Sequence, residues 1–202
     1  MSEAEKLLIV DDHAMMRNGL SSWLAKNTCW NEIQLADSIE NAKLQLVNKV
    51  PEICIIDVQI GQEDGFELLD FITKQYPQIK CVMYSMFDTA GYVSQAKTLG
   101  AKGYVSKASP EAELVKCLQA VSKGELFIDE RIQPFFEKID EIIKFMTKTE
   151  RRIFHEILKG KTNAQITEIL NISTHSIECY VSRIYDITGI RNREQLINYF
   201  CS

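Results

Sequence analysis

The 202 residues are 46% hydrophobic and 25% charged, with a formal charge of −5, and this composition excludes a disordered, fibrous or collagen-like chain. No apolar run approaches the roughly 20 residues of a membrane helix, and the opening MSEAEK is acidic where a signal peptide is basic, so a cytoplasmic chain without membrane attachment is expected. By position the charge is about −5 over 1–125, about −2 over 126–145 and about +2 over 146–202, which leaves the C-terminal piece as the candidate for nucleic acid.

The run Leu7, Leu8, Ile9, Val10 reads as a strand buried on both faces, and it ends in two adjacent carboxylates, Asp11 and Asp12. An unpaired buried carboxylate is expensive, so this end of the strand asks for a cation, a basic neighbour or a wet crevice. Helical spacing follows at Leu20, Trp23 and Leu24, then a strand at Glu32–Ala36 and a helix through Ala42 and Leu46. The strand Ile53–Ile56 is closed by a third acid, Asp57. Phe66, Leu69, Phe71 and Ile72 give the next helical face, Lys80–Ser85 the next strand, and Val93, Ala96 and Leu99 the next helix. A fifth strand, Gly103–Ser106, is followed at once by Lys107, and Leu114, Leu118 and Val121 complete the fifth helix. This alternation predicts an α/β domain over 1–125, a doubly wound five-stranded parallel sheet whose ligands sit at the strand C-termini.

Residues 126–145 read as a linker that is not a loose tether. Ile132, Phe135, Phe136, Ile139, Ile142, Ile143 and Met146 recur at steps of three and four, and Pro134 suits a first turn. An amphipathic helix from 134 to 145 is predicted, packed on the helical domain or on a second copy of itself. From 146 to 202 no strand signal remains, and helical periods broken at Gly160, Asn171 and Gly189 predict a small all-α module. Thr162 or Asn163 caps a helix with Ile166, Ile169 and Leu170 inward; Ser173 caps another with Ile177, Val181 and Ile184 inward. His175, Glu178, Cys179, Ser182, Arg183 and Asp186 are left facing outward. A last short helix spans 194–200. Six cysteines without a CxxC pair read as reduced, packed thiols.

Asp11, Asp12, Asp57, Ser85 and Lys107 thus converge on one edge of the sheet. Two unit charges about 4 Å apart repel by roughly 4 kcal/mol at an effective dielectric of 20, so three acids call for a divalent cation. An all-oxygen site with open water positions suits Mg²⁺, which would also screen an incoming phosphoryl group while Lys107 and Ser85 hold two of its oxygens.

With Asp64-Gly65, Gly100-Ala101 and Gly103-Tyr104 added, these positions resemble the receiver domain of two-component response regulators. The resemblance implies a flavodoxin-like fold with Asp57 as phosphoacceptor. Mg²⁺ would be held by Asp12, Asp57 and the Gln59 backbone carbonyl, with Asp11 assisting. Ser85 and Lys107 would bind the phosphoryl group, and Tyr104 would turn inward when Ser85 moves; a plain core tyrosine is its other reading. Two departures stand out. Gly61 replaces the usual proline and loosens the loop after Asp57, and Ala108 follows Lys107 where many receivers have a cis proline, which leaves the placement of Lys107 open.

Residues 146–202 resemble the LuxR-type helix-turn-helix domain of the NarL/FixJ group through Thr147, Glu150, Gly160, Thr162-Asn163, Ile166, Leu170, Ile172-Ser173, Ile177-Glu178, Gly189 and Arg191-Asn192-Arg193. This resemblance implies DNA contacts from His175, Glu178, Cys179, Ser182 and Arg183, a sensor histidine kinase or small phosphodonor as partner, and a homodimer when active, with the last helix paired or packed back on its own domain. Family members usually carry several cations along the reading helix. Here Arg183 is opposed by Glu178 and Asp186, so support must come from Lys161 and Arg191, with Lys148, Arg151, Arg152, Lys159 and Arg193. The chain reads as a response regulator, phosphorylated on Asp57 to control a DNA-binding output domain and transcription, and not as an enzyme beyond its own phosphotransfer and dephosphorylation. The alternative is a regulator acting through protein–protein contacts with weak or no DNA binding.

Overall fold

The computed structural model describes residues 6–30 and 32–201 and divides into two compact units. Unit 1 takes the chain up to Phe87 together with Ala96–Asp129; unit 2 takes Asp88–Gln95 and the chain from Glu130 onward.

Unit 1 alternates β1 (Lys6–Val10), α1 (Ala14–Asn27), β2 (Glu32–Ala36), α2 (Ile39–Asn48) and β3 (Ile53–Ile56). A two-residue hairpin, β4 (Gln59–Ile60) and β5 (Glu63–Asp64), leads into α3 (Gly65–Gln75), β6 (Lys80–Ser85), α4 (Ala90–Thr98, whose first part to Gln95 falls in unit 2), β7 (Gly103–Ser106), α5 (Glu111–Ser122) and β8 (Phe127–Ile128). The main sheet has the order β2-β1-β3-β6-β7-β8, parallel throughout. Side chains alternate across a strand, so Leu7, Ile9, Ile53 and Ile55 share one core with Leu20 and Leu24 of α1 and Leu114, Leu118 and Val121 of α5. Leu8, Val10, Cys54 and Ile56, also buried, face the side on which α2 and α3 pack. Both faces are covered, which is why these strands lack polar alternation.

The sheet has six strands where five were expected. The sixth, β8, lies just past residue 125 and pairs Phe127 with Gly103 and Ile128 with Tyr104. Two residues are too short to show a period, and both are only half buried. The hairpin after Asp57 was also unexpected; Gly61 sits in its turn at φ 62°, a left-handed value that favours glycine. The chain enters at β1, runs outward to β2 and returns to β3 on the other side, so β1 and β3 flank a topological switch point with Asp11, Asp12 and Asp57 at their C-terminal ends.

Unit 2 contains α6 (Gln133–Ile143), α7 (Lys148–Leu158), α8 (Asn163–Leu170), α9 (Thr174–Thr188) and α10 (Arg193–Cys201). Its helix ends follow side-chain chemistry. Thr147 and Glu150 form a capping box at α7, Thr162 and Gln165 another at α8, and Ser173 accepts from Ser176 N at α9. Asn171 and Gly189 end α8 and α9 in the left-handed conformation. Of the expected apolar stripe, Ile132, Phe136, Ile139, Ile143 and Met146 are buried and Ile142 half buried, while the side chain of Phe135 lies outside the described residues. The helix packs on α10, where Lys138 Nζ sits 5.1 Å from the Tyr199 ring centre. Leu196 and Phe200 of α10 are buried too, with Phe200 edge-on to Phe154 at 5.4 Å, so the last helix packs back on its own unit. One expectation fails: Ile169 is 51% exposed, because eight-residue α8 turns only the narrow face around Ile166 inward.

Candidate functional site

The C-terminal ends of β1, β3, β6 and β7 meet at an open crevice of about 470 Å³ lined by Asp12, His13, Asp57, Gln59, Ser85 and Lys107, with Met15, Met16, Met86 and Phe87 at its rim. Lys107 Nζ donates to Asp11 Oδ2 at 2.7 Å and to Asp57 Oδ2 at 2.5 Å. Ser85 Oγ donates to Asp57 Oδ1 at 2.5 Å, and Gln59 N approaches that oxygen at 3.4 Å. Asp11 also accepts from His13 N at 2.7 Å, and its backbone carbonyl accepts from Arg17. Burial lowers the Lys107 pKa, but its hydrogen bonds to Asp11 and Asp57 outweigh that and hold it above the ordinary lysine value. The ammonium therefore stays charged and fixed between two acids.

Asp11 is the better satisfied of the first two acids. Asp12 Oδ1 is shielded from solvent and accepts no aligned hydrogen bond, although His13 Nδ1 lies 3.0 Å away. One oxygen from each of Asp11, Asp12 and Asp57 and one His13 nitrogen lie within 4.8 Å of one another. Three carboxylates against one ammonium leave excess negative charge, and an unsatisfied carboxylate oxygen faces it. This donor set fits a hard divalent cation. Sequence reading passed over His13 and Arg17; a histidine after two acids and an arginine on α1 give no signal until the loop is folded.

Gly65 explains its own place. A Cβ there would lie 1.9 Å from the Asp57 carbonyl oxygen, so only glycine lets α3 begin against the strand that carries Asp57. Tyr104 is buried, and its hydroxyl donates to the Phe87 carbonyl on the segment after Ser85.

In unit 2, His175, Glu178, Cys179, Ser182, Arg183 and Asp186 all lie on the exposed side of α9, opposite the buried Ile177, Val181 and Ile184. Cys179 Sγ and His175 Nε2 are 3.9 Å apart. Several of the expected cations are engaged within the unit. Arg183 Nε stands 2.9 Å from Glu150 Oε1, Arg193 donates to the Lys161 carbonyl and to Asn163, Lys159 pairs with Glu156 at 2.8 Å, and Arg151 donates to the Met146 carbonyl. Lys148, Arg152 and Arg191 are exposed and Lys161 is half buried. Within the same unit Ser94 Oγ shares a 3.0 Å hydrogen bond with His155 Nε2. Burial above all, then Lys159 and Arg151, drives the His155 pKa down to about 3, so the ring is neutral. Burial likewise raises the thiols of Cys54, Cys81 and Cys117, Cys81 to about 12.

Comparison with known proteins gives two family matches. The response regulator receiver domain matches residues 7–119, and the bacterial regulatory proteins of the luxR family match 144–200. Over its length the chain is 26% identical to the oxygen regulatory protein NreC of Staphylococcus epidermidis, covering 96% of this chain and 95% of that protein. Among solved structures, RcsB from Salmonella enterica serovar Typhimurium bound to promoter rprA with the phosphomimetic BeF3⁻ superposes with a TM-score of 0.70 at 20% identity, covering 98% of each chain. A structure of two RcsB dimers bound to two parallel DNAs gives 0.67 at 22%, again over 98% of each. At these identities the structures speak for the fold. Among the described residues no helix is long and apolar enough to cross a membrane.

Proposed function

The chain belongs to the two-component response regulators of the NarL/FixJ group, and from that premise we propose that Asp57 takes a phosphoryl group from a sensor histidine kinase or a small phosphodonor to control transcription through unit 2. Residues 1–125 act as the receiver, 126–145 as the linker and 146–202 as the DNA-binding domain, in a protein that works in the cytoplasm and pairs with a second copy when phosphorylated. NreC is an oxygen regulatory protein and RcsB is seen bound to DNA, which supports the transcriptional reading.

The observation that carries the proposal is the pairing of both Asp57 oxygens, Oδ1 with the Ser85 hydroxyl and Oδ2 with the Lys107 ammonium. An Asp57 oxygen attacks the phosphorus, the bond to the donor's leaving atom breaks, and an acyl phosphate forms. Lys107 and Ser85 are then placed to exchange their bonds to the carboxylate for bonds to phosphoryl oxygens. Asp11, Asp12, Asp57 and the Gln59 carbonyl would hold Mg²⁺, which when bound draws negative charge from the phosphoryl oxygens. Radiolabelled acetyl phosphate with Mg²⁺ tests the site: Asp57→Ala loses the label, and Asp12→Ala raises the Mg²⁺ requirement. Undiminished label on Asp57→Ala sinks the assignment.

On α9, Glu178, Ser182, Cys179, His175 and Arg183 face the DNA bases, with Lys161 and Arg191 on the phosphates. A second reading has unit 2 act through protein contacts, and the engagement of Arg183 by Glu150 beside the exposed Glu178 and Asp186 favours it. Retention on a DNA column at low salt decides between them, since the protein-contact reading expects weak retention or none.

A further inference from the structure

Lys107 sits in a loop with no proline beside it to fix its backbone, since the next residue is Ala108. Its own backbone N–H reaches Ser85 O at 2.8 Å. The rest of the loop is held from the sixth strand, where no site residue was expected. Asp129, the residue after β8, is 0% exposed. Its Oδ2 accepts from Ser106 N at 3.3 Å and from Ser109 Oγ at 2.5 Å, the two residues on either side of Lys107-Ala108. Two further bonds close the loop on itself, Ala108 N to Ser106 Oγ at 3.2 Å and Ser109 N to Ser106 O at 3.1 Å. Asp129 is in turn fixed to the sheet, its N–H reaching Tyr104 O at 3.0 Å.

A carboxylate removed from water is costly to bury unless its oxygens are well paired, so its position is strongly determined. One oxygen of one side chain ties both ends of the four-residue segment from Ser106 to Ser109. We propose that Asp129 is a positioning residue for phosphotransfer, a strap that holds the Lys107 loop so that the ammonium stays on Asp11 and Asp57. The proposal rests on the receiver reading above. It gives the short sixth strand a purpose, because β8 carries Asp129 to the edge where Lys107 is needed.

The test compares Asp129→Ala, Asp129→Asn and Ser109→Ala in the full-length protein. The rate of Asp57 labelling by acetyl phosphate with Mg²⁺ is one readout. The other is the NMR signal of the Lys107 ammonium in ¹⁵N-lysine protein, assigned by its loss in Lys107→Arg. Asp129→Ala slows labelling about tenfold, because a small displacement of a reacting group costs one to two orders of magnitude, and it shifts or broadens the Lys107 signal. Asp129→Asn restores both to within about twofold, since its amide oxygen accepts the same two bonds. If Asp129→Ala does not fold, Ser109→Ala decides, with a smaller loss of rate and the same direction of signal change. A folded Asp129→Ala with the parental rate and Lys107 signal overturns the strap and leaves Asp129 as a sheet-edge cap; an Asn variant as impaired as Ala overturns it too. A parent that takes no label on Asp57 from acetyl phosphate counts against phosphotransfer from this donor and not against the strap, which the Lys107 signal still tests.

Discussion

Arg183, the one cation on the exposed face of α9, lies with its Nε 2.9 Å from Oε1 of Glu150, the acid that completes the capping box of α7. Glu150 is 1% exposed, and although burial raises its pKa, the hydrogen bonds from Thr147 and the charge of Arg183 leave it below the usual carboxylate value. Glu150 Oε1 accepts no aligned hydrogen bond, so the contact is an ion pair by proximity that draws the Arg183 charge toward the unit. The guanidinium is itself well exposed, so the pair adds little to stability; its effect is on where the charge points.

If Arg183 is committed to Glu150, the electrostatic part of DNA binding falls on the exposed flank. Arg191→Ala should weaken binding to all sequences and flatten the dependence of log K on log salt by about 0.9, the loss expected for one phosphate contact. Arg183→Ala should leave that slope unchanged, whereas Glu178→Ala and Ser182→Ala should alter sequence preference. Fluorescence anisotropy at several salt concentrations, on specific and random duplexes, checks all four. An equal change of slope in Arg183→Ala and Arg191→Ala contradicts the assignment.

Gly61 in the turn of the hairpin after Asp57 and Gly65 just past its end should respond differently to alanine. At Gly65 a methyl group meets the Asp57 carbonyl at 1.9 Å, so the strand end must move, at a cost of about 1–3 kcal/mol. Labelling of Asp57 should slow at least tenfold. At Gly61 the added methyl meets nothing within 4 Å, and the positive φ costs about 1–2 kcal/mol with labelling kept. Thermal melts and labelling rates of the two variants make the comparison.

The parts of this architecture that depend on long apolar runs were legible in the sequence. Leu7 to Val10 and Ile53 to Ile56 announce buried strands, and the acids that end them announce the crevice. The helix at Gln133–Ile143 was legible for the same reason, since seven apolar residues at helical steps have to be covered. What escaped were features whose meaning is three-dimensional. Phe127 and Ile128 make a strand only because β7 offers an open edge. Asp129 reads as a linker acid until Ser106 and Ser109 are brought to it. The flank cations were counted by charge, and charge does not reveal that Arg193 and Lys159 are spent on Lys161, Asn163 and Glu156.

His155 makes the stability of unit 2 depend on pH in a defined window. Its folded pKa of about 3 lies below the unfolded value near 6.5, so below pH 6.5 the unfolded chain binds a proton that the folded unit refuses. The stabilisation is complete above pH 6.5 and is lost progressively down to about pH 3, by about 1 kcal/mol at pH 5.5. Carboxylates titrate lower in the same range, so the informative quantity is the difference from His155→Gln, which does not titrate. Hydrogen exchange of the α7 amides at pH 7 and 5.5 should show the parent losing more protection than the variant, beyond the intrinsic change in exchange rate. Equal losses would show that His155 takes up its proton without cost.

The linker helix supplies the last test. Phe136 is 5% and Ile143 8% exposed, and both lie on the face of α6 that is packed within unit 2, whereas Phe145 just beyond its end is 77% exposed. Placing a carboxylate at each buried position removes apolar packing worth roughly 1.5–3 kcal/mol per side chain and adds an unpaired buried charge. Against a small unit of short helices this is comparable to the whole stability. The double variant Phe136→Asp with Ile143→Asp should therefore lose amide protection through α7, α9 and α10, while the fluorescence of Trp23 and Trp30, both in unit 1, keeps its native value. Phe145→Asp should leave both readouts as in the parent. Had α6 been a seam between two copies and nothing more, the double variant would change sedimentation while retaining protection in unit 2. A double variant that both protects and sediments like the parent would make the segment a tether, and the buried stripe would have no energetic role.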